Sequence, residues 1–213
     1  MKRFASLLSV TMLLQFLPAI AQAQETLDPI QQVVAAGLMT NFQDGNFYPE
    51  KPLSRAELAT ILVKTFKLDK RASAQKETVL EVPDVPSSHW ASNDIQVVLK
   101  TGIMNGYRDG MFFPNQRVSR AEAFAIFAQA HGVFQFPDEN VAAIMDKYPD
   151  SATIPAWAKK SMATALYEGF VNTDAATNRI NPLNPMTRAD MAYALSQYLE
   201  RQQRPASVPS AES

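Results

Sequence analysis

Three short stretches of this chain read almost alike: Ser54-Arg55-Ala56-Glu57, Ser119-Arg120-Ala121-Glu122 and Thr187-Arg188-Ala189-Asp190. Their arginines stand 65 and 68 residues apart, and 18, 18 and 19 residues before them lie Gly37, Gly102 and Gly169, each followed by two apolar residues. Trp90 and Trp157 precede the second and third glycines by 12 residues. Copies that hold several anchors at near-constant offsets must fold alike. Units this small bury their apolar faces only by packing on one another.

Each unit reads as helix, loop, helix. In the second, Ala91 to Lys100 forms a short helix with Ile95, Val98 and Leu99 on one side, and Gly102 supplies the left-handed residue that ends it. Asp109-Gly110 then marks a tight turn between extended flanks, and Pro114 keeps the next helix from starting early. The first unit matches with Asp44-Gly45, whereas the third has Thr177-Asn178 there. The second helix of each unit opens with a capping box, expected to be weakest in the third because Asp190 is shorter than glutamate. Behind it Leu58, Ile61, Leu62, Thr65 and Phe66 form a core stripe, with Ile126 and Phe127, then Met191, Leu195 and Leu199, as counterparts.

The first unit lacks the tryptophan opening and starts from Asp28 as cap with Pro29 in the first turn. Connectors near 69–81 and 133–147 are polar or mixed, with an extra short helix expected within Phe136 to Asp146. We expect a mainly α domain at 24–200, with repeats at 25–68, 82–132 and 148–200 around a pseudo-threefold axis, and a disordered tail at 201–213.

The amino terminus carries Lys2-Arg3, an apolar run from Phe4 to Leu17, Pro18 and Ala21-Gln22-Ala23, the pattern of a secretory signal peptide cleaved after Ala23. After cleavage no stretch reaches the ~20 apolar residues of a membrane span. The protein is therefore expected outside the cytoplasm. A net charge of -1 speaks against nucleic acid as a partner. The absence of cysteine removes thiolate chemistry, and two histidines cannot build a histidine-rich metal centre. Read as calcium loops, the turns offer Asn105, Tyr107 and Gln116, or Thr40, Phe42 and Lys51, at ligand positions, and these cannot cage the ion. No catalytic motif stands out. We expect no enzyme, metal or cofactor.

The arginines break a rule. A cation in the first turn of a helix is disfavoured by about 0.3–1 kcal/mol, yet Arg55, Arg120 and Arg188 all stand there. Beside free first-turn amides they would receive a carboxylate or phosphate; alternatively each bridges a loop acid such as Asp44 or Asp109. Trp90 and Trp157 either stack on sugar faces or staple a helix entry to the core, and Tyr107 and Phe42 lie in loops. His89 suits a turn, and His131 a helix end where its charged form is favoured.

Pro83-Asp84-Val85, His89-Trp90, Gly102-Ile103, Asn105-Gly106-Tyr107, Asp109-Gly110, Phe112, Pro114 and Val118-Ser119-Arg120-Ala121-Glu122 together resemble a nearly complete S-layer homology (SLH) repeat. The first unit resembles it from its first helix onward, and the third through Tyr148-Pro149-Asp150, Trp157, Gly169 and Met186 to Asp190. The resemblance implies three repeats in a spindle around a central helical bundle, with grooves that bind cell-wall polysaccharide, often through a pyruvate ketal. It places the ketal carboxylate on Arg55, Arg120 and Arg188, with Asp109, Gly110, Tyr107 and Trp90 lining a groove and Asp44, Gly45 and Trp157 as looser counterparts. The groove using the second unit's features is expected to be best preserved. Such repeats usually tether a larger domain. None remains here, so we expect a free-standing wall-binding protein, a truncated form, or an adaptor whose partner is another envelope protein.

Overall fold

The computed structural model describes residues 28–72, 79–134 and 136–203; the expected signal peptide at 1–23 lies outside them. The chain is mainly α. Its helices are α1 (Pro29–Ala35), α2 (Arg55–Phe66), α3 (Leu68–Ala72), α4 (Ser92–Lys100), α5 (Arg120–His131), α6 (Asp138–Met145), α7 (Lys159–Tyr167) and α8 (Arg188–Gln203). Among the described residues extended pairing is confined to three isolated bridges, Pro52 with Thr187, Ser54 with Arg117 and Ser119 with Pro185.

Local sequence accounts for most of these limits. Asp28 caps α1, its carboxylate accepting from Ile30 N at 3.1 Å. Gly37, Gly102 and Gly169 end α1, α4 and α7 with φ of 69°, 69° and 72°, the left-handed region where a side chain is strained even in open space. The capping boxes depart from expectation. The third is complete: Thr187 N donates to Asp190 Oδ2 at 2.9 Å and Asp190 N to Thr187 Oγ1 at 3.1 Å. In the second, Ser119 Oγ accepts from Glu122 N at 3.2 Å, while the Glu122 carboxylate turns to a neighbouring repeat. One further element and one helix end also differ from expectation. Lys67, left-handed at φ 51°, separates α2 from an unexpected α3. Arg201, assigned to the tail, belongs to α8 and pairs with Glu168 at 2.7 Å.

The repeats interlock in a cycle. Each repeat's first helix packs on the second helix of the repeat before it: α4 on α2, α7 on α5, and α1 on α8. Just before the second helices, Leu53 N donates to Met186 O (2.8 Å), Met186 N to Val118 O (2.9 Å) and Val118 N to Leu53 O (3.2 Å). Three residues from three repeats thus close a triangle of backbone hydrogen bonds. The stripes behind it are core: Leu58, Ile61, Leu62, Thr65, Phe66, Ile126, Phe127, Met191 and Leu195 are buried, and only Leu199 is half-buried. Phe127 joins them, with its ring edge-on to Phe66 at 5.1 Å and to Phe170 at 5.2 Å.

Candidate functional site

The amides expected to help receive an anion are not free. Arg55 N donates to Gln116 O and Ala56 N to Pro114 O; Arg120 N to Asn184 O and Ala121 N to Pro182 O; Arg188 N to Lys51 O and Ala189 N to Pro49 O. Each pair is used by the loop of the next repeat round the cycle. Only the guanidinium groups remain as candidate anion receptors, and all three are buried, at 2%, 7% and 6% exposure for Arg55, Arg120 and Arg188.

Arg55 reaches from the first repeat into the second. Its Nε donates to Phe112 O (2.8 Å), Nη2 to Asn105 O (2.7 Å) and Nη1 to Glu122 Oε1 (2.9 Å). Tyr107 lies over it, ring centroid 4.6 Å from the guanidinium carbon, and its hydroxyl donates to Glu122 Oε1 at 3.3 Å. Burial pushes the Tyr107 phenol up; Arg55 opposes that, and Glu122 adds to it.

Arg120 repeats the arrangement between the second and third repeats. Its Nε donates to Ile180 O at 2.8 Å, Nη2 to Asn172 O and Nη1 to Asn172 Oδ1 at 3.0 Å, and Asp190 Oδ1 lies 2.6 Å from Nη1. Asn172 Nδ2 donates to the same Asp190 oxygen at 2.8 Å. Burial alone would raise the Asp190 carboxyl, but Arg120 and hydrogen bonds from Asn172 and Thr187 hold it below the usual carboxylate range.

Arg188 closes the cycle from the third repeat back to the first, and differs. Its Nε donates to Phe47 O (2.8 Å) and Nη2 to Thr40 O (2.6 Å), between the rings of Phe42 (4.8 Å) and Phe47 (4.4 Å). Among the described residues Nη1 has no partner, and no carboxylate lies within bridging distance of the group. Glu57, the acid in the equivalent place, accepts from Ser54 N and Ser54 Oγ, both at 2.9 Å. Burial lowers the Arg188 pKa and the Glu57 charge opposes that; an arginine nonetheless keeps its proton.

An open cleft of about 270 Å³ lies beside Arg188. Its wall includes Thr40 and Phe42 from the first loop, Glu57 and Lys64 from α2, and Trp90 from the second repeat. Trp90 is 64% exposed, and Lys64 is exposed. The cleft thus presents a buried guanidinium with an edge unpartnered among the described residues, an exposed ammonium and a bare indole.

The structure sorts the expected site residues. The proposed bridges to Asp44 or Asp109 do not form; the partners are the capping-box acids Glu122 and Asp190 of the following repeat. Asp109, at φ 61°, and Gly110 sit on an exposed turn, and Asp44 and Gly45 on another, away from the cleft's wall. Asp44 is engaged locally, accepting from the Tyr48 hydroxyl and from Asn46 N at 3.0 Å, and these bonds lower its pKa. Neither tryptophan staples the core. Trp157 matches Trp90 in exposure, but its 3-10 turn (Ala156–Ala158) packs on α5, the helix whose Glu122 already holds Arg55. Residues expected to form one groove from the second repeat are therefore divided. Tyr107 covers Arg55, Arg120 faces the third repeat, and Trp90 joins Arg188. His89 is the turn residue expected, its Nδ1 accepting from Ala91 N at 3.1 Å. At His131 burial disfavours the charged form and lowers the pKa, against a smaller upward pull from Glu168 and with a further downward one from Arg201.

Lys64 escaped the sequence reading although its signal was present, since the equivalent positions carry Gln129 and Gln197. Asp84 and Asp150 were missed too. Asp84 accepts from Phe112 N (2.8 Å) and Phe113 N (2.6 Å), and Asp150 from Ile180 N (3.0 Å) and Asn181 N (2.7 Å). They pin the loops whose carbonyls receive Arg55 and Arg120, and their recurrence after Pro83 and Pro149 was legible.

Comparison with known proteins gives a consistent picture. The model of the S-layer homology domain matches residues 21–59, 83–124 and 147–192, more than half of the chain. A surface-layer 125 kDa protein of Lysinibacillus sphaericus is 30% identical over 175 residues, 81% of this chain and 14% of that protein. A cellulosome-anchoring protein of Acetivibrio thermocellus is 27% identical over 169 residues, 78% and 36% of the two chains. An exoglucanase of the same organism is 27% identical over 175 residues, 82% and 15%. The chain spans about a third or less of the length of these relatives. No helix among the described residues is long and apolar enough to cross a membrane.

Proposed function

The chain belongs to the S-layer homology domain family, and from that premise we propose that it is a noncatalytic binding module of the cell envelope. It is exported to the periplasm or cell wall and attaches, through a single domain spanning 24–200, to an anionic, pyruvate-ketal-bearing polysaccharide linked to peptidoglycan. The single observation that carries this reading is the cleft beside Arg188, where a buried guanidinium keeps one edge without a partner among the described residues.

The chemistry suits an acidic sugar. A ketal carboxylate can take a charge-assisted hydrogen bond from Arg188 Nη1. Trp90 offers an apolar face to a pyranose ring, and Lys64 a second positive charge at the rim. The relatives named for surface layers and cellulosome anchoring agree with attachment, and that role is carried to this chain by family membership.

Sedimentation with purified cell walls tests the reading. The protein is expected to pellet with untreated walls and to stay in solution with walls whose ketals have been removed by mild acid. Equal pelleting with both would sink the ketal as ligand; no pelleting with either would sink wall attachment. A second reading has an observation of its own: the locked bridges of Arg55 and Arg120 fit an assembly adaptor whose arginines only hold its repeats together and whose partner is another envelope protein. It predicts that Arg188→Lys leaves wall retention untouched.

A further inference from the structure

Around the cycle, two of the three arginines already hold a carboxylate. Glu122 meets Arg55 Nη1 at 2.9 Å and Asp190 meets Arg120 Nη1 at 2.6 Å, and each acid comes from the repeat that also supplies the surrounding carbonyls. At the third junction the equivalent acid, Glu57, accepts from Ser54 and does not reach Arg188, so among the described residues the Nη1 position is left to the cleft's occupant. Side-chain accessibility agrees: Glu122 and Asp190 are 18% and 13% exposed, too enclosed to yield to a solvated sugar without breaking a buried ion pair.

Resting on the wall-binding reading above, we propose that the domain is monovalent. Glu122 and Asp190 are built-in stand-ins for a ligand carboxylate that keep two junctions closed, and only the junction of the third and first repeats takes an acidic saccharide. Lys64 is a specificity-determining residue of that junction, because Gln129 and Gln197 replace it at the other two. A ligand there bridges the first and last repeats through the same guanidinium that ties them together.

The test uses the methyl glycoside of a hexose bearing a 4,6-pyruvate ketal, with its carboxyl methyl ester as control. Calorimetry is expected to give one equivalent bound, no binding of the ester, and at least a tenfold loss of affinity in Lys64→Ala, a substitution at an exposed position. The two indole N–H resonances supply an independent readout: that of Trp90 shifts on saturation, and that of Trp157 does not. Two or three equivalents or a moving Trp157 resonance would overturn monovalency, and unchanged affinity in Lys64→Ala would overturn the part given to Lys64, while wall binding stands. Wall pelleting without binding of the ketal would overturn the carboxylate's part. Neither pelleting nor binding would overturn the underlying reading as well.

Discussion

Arg55 Nη1 and Glu122 Oε1 lie 2.9 Å apart across the junction of the first and second repeats, with side-chain exposures of 3% and 18%. The contact explains why a cation occupies the first turn of α2. A positive charge there is unfavourable by about 0.3–1 kcal/mol, but the side chain leaves its own helix and satisfies an acid and two carbonyls of the next repeat.

Removing that arginine leaves Glu122 without its cation, with the Tyr107 hydroxyl as its remaining side-chain donor, and takes a donor from two carbonyls. Arg55→Met is expected to lower unfolding stability by about 3–5 kcal/mol, the usual cost of orphaning one member of a buried pair. Urea denaturation measures it. Adding Glu122→Gln should restore part of the loss, because the uncompensated charge is then gone; additive losses would show that the pair is uncoupled.

Acid should loosen the second junction. The Asp190 carboxyl titrates below its unfolded value of about 3.9, so its contribution is complete above that value and is lost as pH falls through the lower folded one. Melting temperature is expected to drop more steeply below about pH 4 in the wild type than in Asp190→Asn. Parallel curves for the two proteins would contradict the assignment.

His131 gives a separate dependence at higher pH. Burial depresses its pKa, so between that value and about 6.5 the unfolded chain binds a proton that the folded one refuses. Stability should therefore rise with pH through this window and level off above about 6.5. The ring packs against Phe170 at 5.2 Å and Tyr198 at 5.9 Å, and His131→Phe should flatten the rise. Melting scans between acid and neutral pH decide it.

The two tryptophans offer a matched comparison, since both are 64% exposed. Trp90→Ala is expected to reduce retention on cell walls at least tenfold, and Trp157→Ala to leave it within twofold of wild type. Neither should move the melting temperature by more than a degree or two, since little packing is removed. Equal effects on retention would refute the special place of the cleft beside Arg188.

Much of the local structure was readable from neighbouring residues. Serine or threonine three positions before an acid caps a helix wherever it falls, and a left-handed glycine stops one, because both act within a single turn. Lys67 could not be anticipated that way, since a non-glycine residue at φ 51° has no compositional mark. Nor could the second capping box be foreseen to open: Ser119 and Glu122 have the right spacing, but a guanidinium 67 positions away competes for the carboxylate and wins.

The site was legible as a set of residues and not as a place. The repeated arginines, the tryptophans and the second loop all stood out, and reading each repeat as its own unit grouped Arg120, Tyr107 and Trp90 together. In the molecule each seam draws on different repeats, because first helices pack backward and arginines reach forward around the cycle.

What the sequence determined by itself is the threefold helix-loop-helix pattern, since caps, turns and apolar stripes are encoded by residues a few positions apart. Only the tertiary structure decided which guanidinium is left open. That choice rests on whether the capping-box acid also reaches across its junction, as Glu122 and Asp190 do and Glu57 does not. The competing partners meet only once the first and third repeats, with Arg188 and Thr40 148 positions apart, have closed the ring.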